Sequence, residues 1–513
     1  MRQLPLQSEI FDVAVVGGGI VGCGVARDAA LRGLRVVLFE KHDFGSGTTS
    51  TSTRIVHGGL RYLETADFRL VRLDLRERET LLRIAPHLVR PLEFVIPFDG
   101  LSRWQQARVR VGLTLYDALA FGSSLPRHRS RRTEAAYFDA RADSPERLCI
   151  ENVVDAALRG ARPLNYVEVL GAIRQGQAVT GVRVRDRLSG EEAEVRARVT
   201  VNAGGPWFDR VARALGDQAP ARIRTTKGVH VVCAAPSDRA MVVFSPVDGR
   251  LLFAIPRLGL TWFGTTDTDF SGDPAEAAAT REDVEYVLES VRGHFPGLRV
   301  EDVLFTTAGV RALVMQRGRA SSVSRMHRIV DGEAAAVPGL VSILGGKITG
   351  YRAIAEEAVD AVCRQLRRPE RSTTASTPLP GARGARPPDV TQHLYDLYGS
   401  RAGEIAQLAA ARPELARPLA PAYPDIAAQV VFAVREEFCV TVSDFLRRRT
   451  LLSVTADQGR QAVSAVAAVM AAECGWTNET RAREIESYAH EVERSQAFRN
   501  RGGDSPRPAD RGR

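Results

Sequence analysis

Residues 11–40 read FDVAVVGGGIVGCGVARDAALRGLRVVLFE, and this stretch decides the fold. FDVAVV is a short apolar run with the composition of a buried strand. It enters GGGIVG (17–22) directly, and a helical stretch follows that ends at Gly33. A second apolar run, LRVVLFE, closes on Glu40. The unit is β-α-β with G-x-G-x-x-G in its first turn. Gly17 permits the tight turn, Gly19 lets the backbone approach a pyrophosphate, and Gly22 lets helix and strand pack closely. The helix N-terminus then offers free N–H groups and a positive dipole end to phosphates. Gly18 and Ile20 complete the same expected cofactor contact. Glu40 ends the second strand, where a carboxylate accepts hydrogen bonds from ribose hydroxyls and repels a 2′-phosphate. NADP is therefore disfavoured. Lys41 is expected at the adenosine end.

After Glu40 the chain reads KHDFGSGTTSTSTRIVHGGLRYL. A simple NAD domain continues into another helix and strand. Here a Gly/Ser/Thr tract runs into Gly58–Gly59 instead. The hydroxyls and backbone of residues 46–54 are suited to an extended pyrophosphate and a ring system. FAD is the expected cofactor, with Thr49, Ser50, Ser52, Arg54 and Ile55 among its contacts.

The rest of the composition narrows the class. The 513 residues are 44% apolar and 26% charged, a globular balance that excludes disordered, collagen-like and disulfide-scaffold chains. Net charge is +9. The arginines are spread along the chain and aromatics make up only 6%, so nucleic acid is not an expected partner. An anionic substrate or membrane surface fits the charge. Only Lys41, Lys227 and Lys347 are lysines, each standing where arginine is the default choice. The six cysteines (23, 149, 233, 363, 439 and 474) form no C-x-x-C pair, which argues against zinc, iron–sulfur or redox-dithiol sites; no metal is expected. The N-terminus MRQLPLQSEI lacks a signal-peptide pattern, and no apolar run is long enough to span a bilayer.

Several motifs occur in order: GGGIVGCGVARDAALRG, GSGTTSTSTRIVHGGLRYLE, NAGGPW (202–207), TKGVH (226–230) and LFAIPRLGLTWFGTTDTDF (252–270). AGVRAL (308–313), SRMH (324–327), GGKITGYR (345–352) and REEFCVTVSDFLRRRTLL (435–452) follow. Together they resemble the FAD-dependent glycerol-3-phosphate dehydrogenases and oxidases, up to about residue 475. The resemblance implies a glutathione-reductase-like α/β FAD-binding Rossmann fold, a β-rich substrate domain and a C-terminal α-helical domain. It implies oxidation of sn-glycerol 3-phosphate to dihydroxyacetone phosphate, with electrons passed to a membrane quinone, or to oxygen in the oxidase branch. The expected location is cytoplasmic, peripheral at the inner face of the cytoplasmic membrane. The segment LSRWQQARVRVGLTLYDALAFG (101–122) could supply a basic amphipathic surface for it. A homodimer stays open.

The expected oxidoreductase region is 1–375. Its FAD part takes 10–90, 150–215 and 338–365; its substrate part takes 91–150 and 216–337. NAGG and LGGK are strand-to-glycine turns whose amides suit the cofactor, which adds Ala203, Gly204, Gly346, Lys347, Ile348 and Thr349. Residues 368–389, rich in Pro, Ser, Thr and Gly, read as a linker. An α-helical domain is expected over 390–492 and a disordered tail over 493–513.

Oxidising a secondary alcohol by flavin requires a base for the hydroxyl proton and cations for the phosphate. His57, in IVHGGLRY, is the first candidate base, and the resemblance supports it. His230, in TKGVH, competes. Arg61 and Arg311 are expected to grip the substrate anion through their guanidinium forks, with Tyr62 adding a hydroxyl. Lys347 could stabilise the reduced flavin or touch substrate, and Lys227 could support it. Two positions depart from the family pattern: Ser52–Thr53–Arg54 replaces Ser-Ser-Lys, and Gly350 replaces the second Thr of GGKLTTYR. Both are expected to border flavin and substrate, which leaves a longer substrate such as erythritol phosphate open.

Overall fold

FDVAVV forms strand Ile10–Val16 at the middle of a parallel sheet. In the computed structural model, which describes residues 4, 9–64, 66–234, 236–315, 326–332 and 337–499, that sheet runs Leu340–Leu344, Glu192–Asn202, Ile10–Val16, Val36–Phe39, Arg162–Leu164. Arg328–Asp331 adds an antiparallel edge, and the ribbon Val167–Gln175/Ala178–Asp186 pairs antiparallel with the strand from Glu192. Strand side chains alternate between faces. Val13, Val15, Val36 and Leu38 pack on helices Ile20–Leu31, Pro145–Leu158 and Tyr351–Leu366. Ala14, Val37 and Phe39 face the ribbon, against Val182 and Val184. Both faces are covered, so the strands read as continuous apolar runs. Each such buried Val contributes about 1.5–3 kcal/mol over an exposed one.

A second, ten-stranded sheet holds residues 55–56, 89–97, 129–130, 134–142, 223–234, 240–244, 251–257, 260–264, 268–269 and 303–314, with Ile223–Ala234 pairing antiparallel to Leu260–Gly264 and Val303–Val314. Val232, Val242 and Trp262 pack toward helices Phe68–Ile84 and Arg103–Leu119; Val231, Val243 and Phe263 pack toward Arg281–Val291. A third core gathers helices Gln392–Tyr398, Ala402–Ala411, Ala427–Glu436, Val463–Cys474 and Asn478–Arg494.

The structure draws some boundaries differently from the sequence reading. Strand Ile55–Val56 pairs with Glu134–Ala142 of the second sheet, and helix Phe68–Ile84 places Val71 and Leu75 in that core but Leu81 and Ile84 in the first. Helix Pro145–Leu158 packs its apolar face on the nucleotide-binding side, while Arg147 reaches Leu397 O and Glu437 of the C-terminal helical region. Segment 368–389 is seated rather than slack: Leu379 is buried, its N–H donates to Ile84 O, and Arg27 donates to Thr377 O. Residues 493–499 are held against the protein rather than loose. Phe498 is buried beside the second sheet, and Gln496 and Arg499 side chains donate to the carbonyls of Leu304 and Val303. Residues 500–513, and Ser324 and Arg325 of SRMH, lie outside the described residues.

Candidate active site

The two sheets meet over one cavity of about 1060 Å³. That exceeds the range usual for a drug-sized ligand and suits a dinucleotide with a small substrate. One end is the glycine turn. Gly17 has φ +108°, and a Cβ there would lie 2.6 Å from Ala203 O. Gly19 caps helix Ile20–Leu31 without a side chain, and a Cβ on it would meet only Thr49 Oγ1, at 3.8 Å. The helix N-terminus is thus open toward the cavity. Thr49 Oγ1 accepts from Ile20 N–H at 3.1 Å. Glu40 Oε2 accepts from Gly18 N–H at 2.7 Å and Oε1 from His42 N–H at 2.9 Å; burial raises this carboxyl, and those bonds oppose the shift. Lys41 Nζ lies 4.3 Å above the Trp207 ring, and both line the cavity.

The other end carries the polar cluster. The 3₁₀ turn Leu60–Leu63 presents Arg61 and Tyr62. Tyr62 is flanked by the Arg61 guanidinium at 5.6 Å and Lys347 Nζ at 4.7 Å. Opposite them, Arg311 of strand Val303–Val314 donates to Thr265 Oγ1 (2.8 Å), Thr266 O (3.1 Å) and Asp267 Oδ1 (3.1 Å). Gly228 makes room for that guanidinium: a Cβ there would stand 2.2 Å from Arg311 Nη2.

His57 and His230 both line the cavity. Burial, then Lys347 and Arg61, hold His57 well below the usual histidine range. Burial, then Arg311 and Arg54, bring His230 to about 3. Both imidazoles are neutral at pH 7 and able to accept a proton. His230 Nε2 pairs with Thr53 Oγ1 at 3.0 Å and Nδ1 with Thr307 Oγ1 at 3.4 Å. Among the described residues the His57 ring makes no hydrogen bond; its backbone N–H donates to Thr349 Oγ1 at 3.1 Å.

Residues 12–352 match the FAD dependent oxidoreductase family, and 350–481 match the C-terminal domain of alpha-glycerophosphate oxidase. The glycerol-3-phosphate dehydrogenase of Synechocystis sp. is 40% identical, over 96% of this chain and 99% of its own. That of Mycobacterium leprae is 36% identical, over 95% and 88%. The chain belongs to the FAD-dependent glycerol-3-phosphate dehydrogenase and oxidase family. The crystal structure of the Bacillus halodurans glycerol-3-phosphate dehydrogenase complexed with FAD superposes with a TM-score of 0.77 at 31% identity, covering 97% of each chain. The cofactor of this flavoprotein family fits the residues present here: the open helix end at Gly19, the Gly17 cradle and the buried Glu40 carboxylate share one cavity.

Of the expected cofactor contacts, Gly17, Gly19, Ile20, Glu40, Lys41, Thr49, Ser52, Ile55, Ala203, Gly204, Gly346, Lys347 and Ile348 line that cavity, as do Arg61, Tyr62 and Arg311. Five do not. Gly18 and Gly22 stand behind the turn, where a Cβ would collide with Glu40 and with Gly17 O. Ser50 Oγ donates to Gly45 O, inside its own loop. Thr349 is buried and fixes the His57 backbone. Arg54 turns away to chelate Glu146, at 2.7 and 2.5 Å. Lys227 also leaves the cavity, pairing with Asp283 at 2.5 Å. Of the departures from the family pattern, Thr53 lines the cavity, whereas Arg54 and Gly350 are off its wall; a Cβ on Gly350 would face Asp74 at 3.6 Å. The sequence reading does not single out Asp74, Thr307 or Asp267. The motif FGTTDTDF contains the signal for Asp267; the others have no local one.

Proposed function

We propose that this chain oxidises sn-glycerol 3-phosphate to dihydroxyacetone phosphate and delivers the electrons to a membrane quinone. The observation that carries the substrate reading is one cavity lined by two neutral imidazoles, His57 and His230, and by the cationic residues Arg61, Arg311 and Lys347. Three cations suit a phosphate dianion, and a neutral imidazole suits a hydroxyl proton. Bound FAD supplies the two-electron acceptor for the C2 hydrogen. Arg61 and Arg311 hold the phosphate and fix the C2 hydroxyl's position, and the Lys347 ammonium adds positive charge from beneath the wall. The unbonded His57 ring takes the hydroxyl proton as C2 becomes a carbonyl. His230, tethered by Thr53 and Thr307, shapes the wall opposite. Because Gly350 lies off the cavity, it makes no room for a longer polyol, and this favours the three-carbon substrate.

The quinone reading rests on helix Arg103–Leu119. Only Leu113 and Tyr116 of it are buried, while Trp104, Val111, Leu115 and, just beyond, Phe121 are exposed, the last by 90%. Arg103, Arg108 and Arg127 are exposed near them in the chain. An apolar face beside arginines suits the headgroup boundary of an anionic bilayer. No described helix is long and apolar enough to cross a membrane. The test is steady-state oxidation of glycerol 3-phosphate with a soluble quinone or oxygen as sole acceptor, with and without anionic vesicles. Quinone turnover that vesicles enhance, and that Trp104→Ser with Phe121→Ser loses, is expected. Turnover with oxygen alone sinks the quinone assignment.

A further inference from the structure

Lys347 is one of only three lysines in the chain. Lys347 lines the cavity with its ammonium covered by the wall, and Asp74 of helix Phe68–Ile84 pairs with that ammonium. The Asp74 side chain is 1% exposed, and among the described residues it accepts no hydrogen bond beyond that ion pair. Gly59, at φ +76°, leaves the space: a Cβ there would stand 2.2 Å from the Tyr62 ring and 3.4 Å from Lys347 Nζ.

We propose that Asp74 is a positioning residue that keeps the Lys347 ammonium charged beneath the cavity wall, where its field favours the substrate's anion. The proposal rests on the functional reading above. The surrounding charges single out this pair. Asp139, from strand Glu134–Ala142, has its own partners in Arg78 (2.7 Å) and the Tyr116 hydroxyl (2.8 Å). Glu77, one turn on, is held by Arg352 of helix Tyr351–Leu366 at 2.7 Å. Tyr62 faces the ammonium with its ring. Lys347 alone balances Asp74. Burial acts to lower the lysine, and the Asp74 carboxylate, with Tyr62 and Asp139 adding to it, more than offsets that, leaving the ammonium raised. Reciprocally, burial lifts Asp74 to about 6 although Lys347 pulls it down, so the carboxylate is ionised at neutral pH. Without that carboxylate, desolvation loses its main counterweight and the ammonium gives up its proton at lower pH.

The test uses FAD-loaded enzyme. With three lysines, ¹³C-labelled lysine gives three Cε signals, and Lys347→Arg identifies the relevant one. In the unaltered protein and in Asp74→Glu, that signal is expected to stay charged to pH 10. In Asp74→Asn it is expected to titrate below pH 10. Sulfate, a dianion that does not titrate in this range, probes the function by calorimetry at constant ionic strength. Its affinity should be flat with pH in the unaltered protein. In Asp74→Asn it should fall about tenfold per pH unit above the new lysine pKa. Asp74→Asn/Lys347→Arg should be flat again, because a guanidinium stays protonated. A Lys347 that stays charged in Asp74→Asn overturns the proposal. If Asp74→Asn fails to fold, a Lys347 that titrates below pH 9 in the unaltered protein overturns it. Failure of the functional reading looks different: glycerol 3-phosphate would leave the bound flavin oxidised whatever the state of Lys347.

Discussion

Gly228→Ala is expected to displace Arg311 without removing its charge. Gly228 lies in strand Ile223–Ala234, outside the left-handed region, so its backbone accepts alanine. The new Cβ would stand 2.2, 2.5 and 2.7 Å from the three atoms Nη2, Cζ and Nη1 of Arg311. Reaching ordinary contact at about 3.4 Å requires the guanidinium to retreat by about 1.2 Å. Its bonds to Thr265, Thr266 and Asp267, now 2.8–3.1 Å, cannot all survive that movement, nor can its alignment with a bound anion. A hydrogen bond to a charged group is worth about 1.5–3 kcal/mol. The KM for glycerol 3-phosphate should therefore rise roughly 10- to 150-fold, at 1.4 kcal/mol per factor of ten. FAD content should not change, because the nucleotide end of the cavity is untouched. Steady-state kinetics beside the flavin-to-protein ratio measure both, with Arg311→Ala as comparator. A KM within twofold of the unaltered enzyme, while Arg311→Ala raises it, would refute the claim that this seat positions the substrate-binding cation.

His57→Asn should slow flavin reduction by roughly 10²–10⁴-fold with little loss of FAD, the usual contribution of a positioned base, and His230→Asn should slow it less. Anaerobic stopped-flow bleaching decides between them, and the reverse order would exchange their roles. Stability should fall in acid. His230 has a folded-state value of about 3 against about 6.5 unfolded, so between these the unfolded chain binds a proton that the folded one does not. Its contribution is complete above pH 6.5 and declines by about 1.4 kcal/mol per pH unit below. Urea midpoints at pH 7.5 and 5.0 should differ less for His230→Asn than for the unaltered protein; an equal difference contradicts the burial argument.

The glycine turn was legible because its requirement is local: backbone must approach backbone at Gly17 and Gly22, and no other residue fits. Arg61, Tyr62, Arg311, His57 and His230 could be named because each stands in a short motif, and all five reach the cavity. Arg54 was misplaced because its fate depends on Glu146, 92 residues away, with which it forms a buried two-pronged pair. Asp74 gave no signal, since an acid in an amphipathic helix ordinarily faces water, and only the fold brings Lys347 behind it. The domain boundaries blurred for a similar reason. Helix Phe68–Ile84 serves both cores at once, with its two ends packed into different sheets. Composition also suggested that residues 493–499 were loose, yet a single phenylalanine at 498 and two carbonyl contacts anchor them.

The central claim is that this cavity oxidises glycerol 3-phosphate with FAD. Its most direct test is the anaerobic half-reaction: purified FAD-bound protein is mixed with sn-glycerol 3-phosphate, and the oxidised flavin absorbance is followed with no other acceptor present. The account predicts full bleaching that saturates with substrate, yields one dihydroxyacetone phosphate per flavin, and is much weaker with erythritol phosphate or unphosphorylated glycerol. A flavin that stays oxidised at saturating glycerol 3-phosphate, or that unphosphorylated glycerol bleaches equally well, would contradict it.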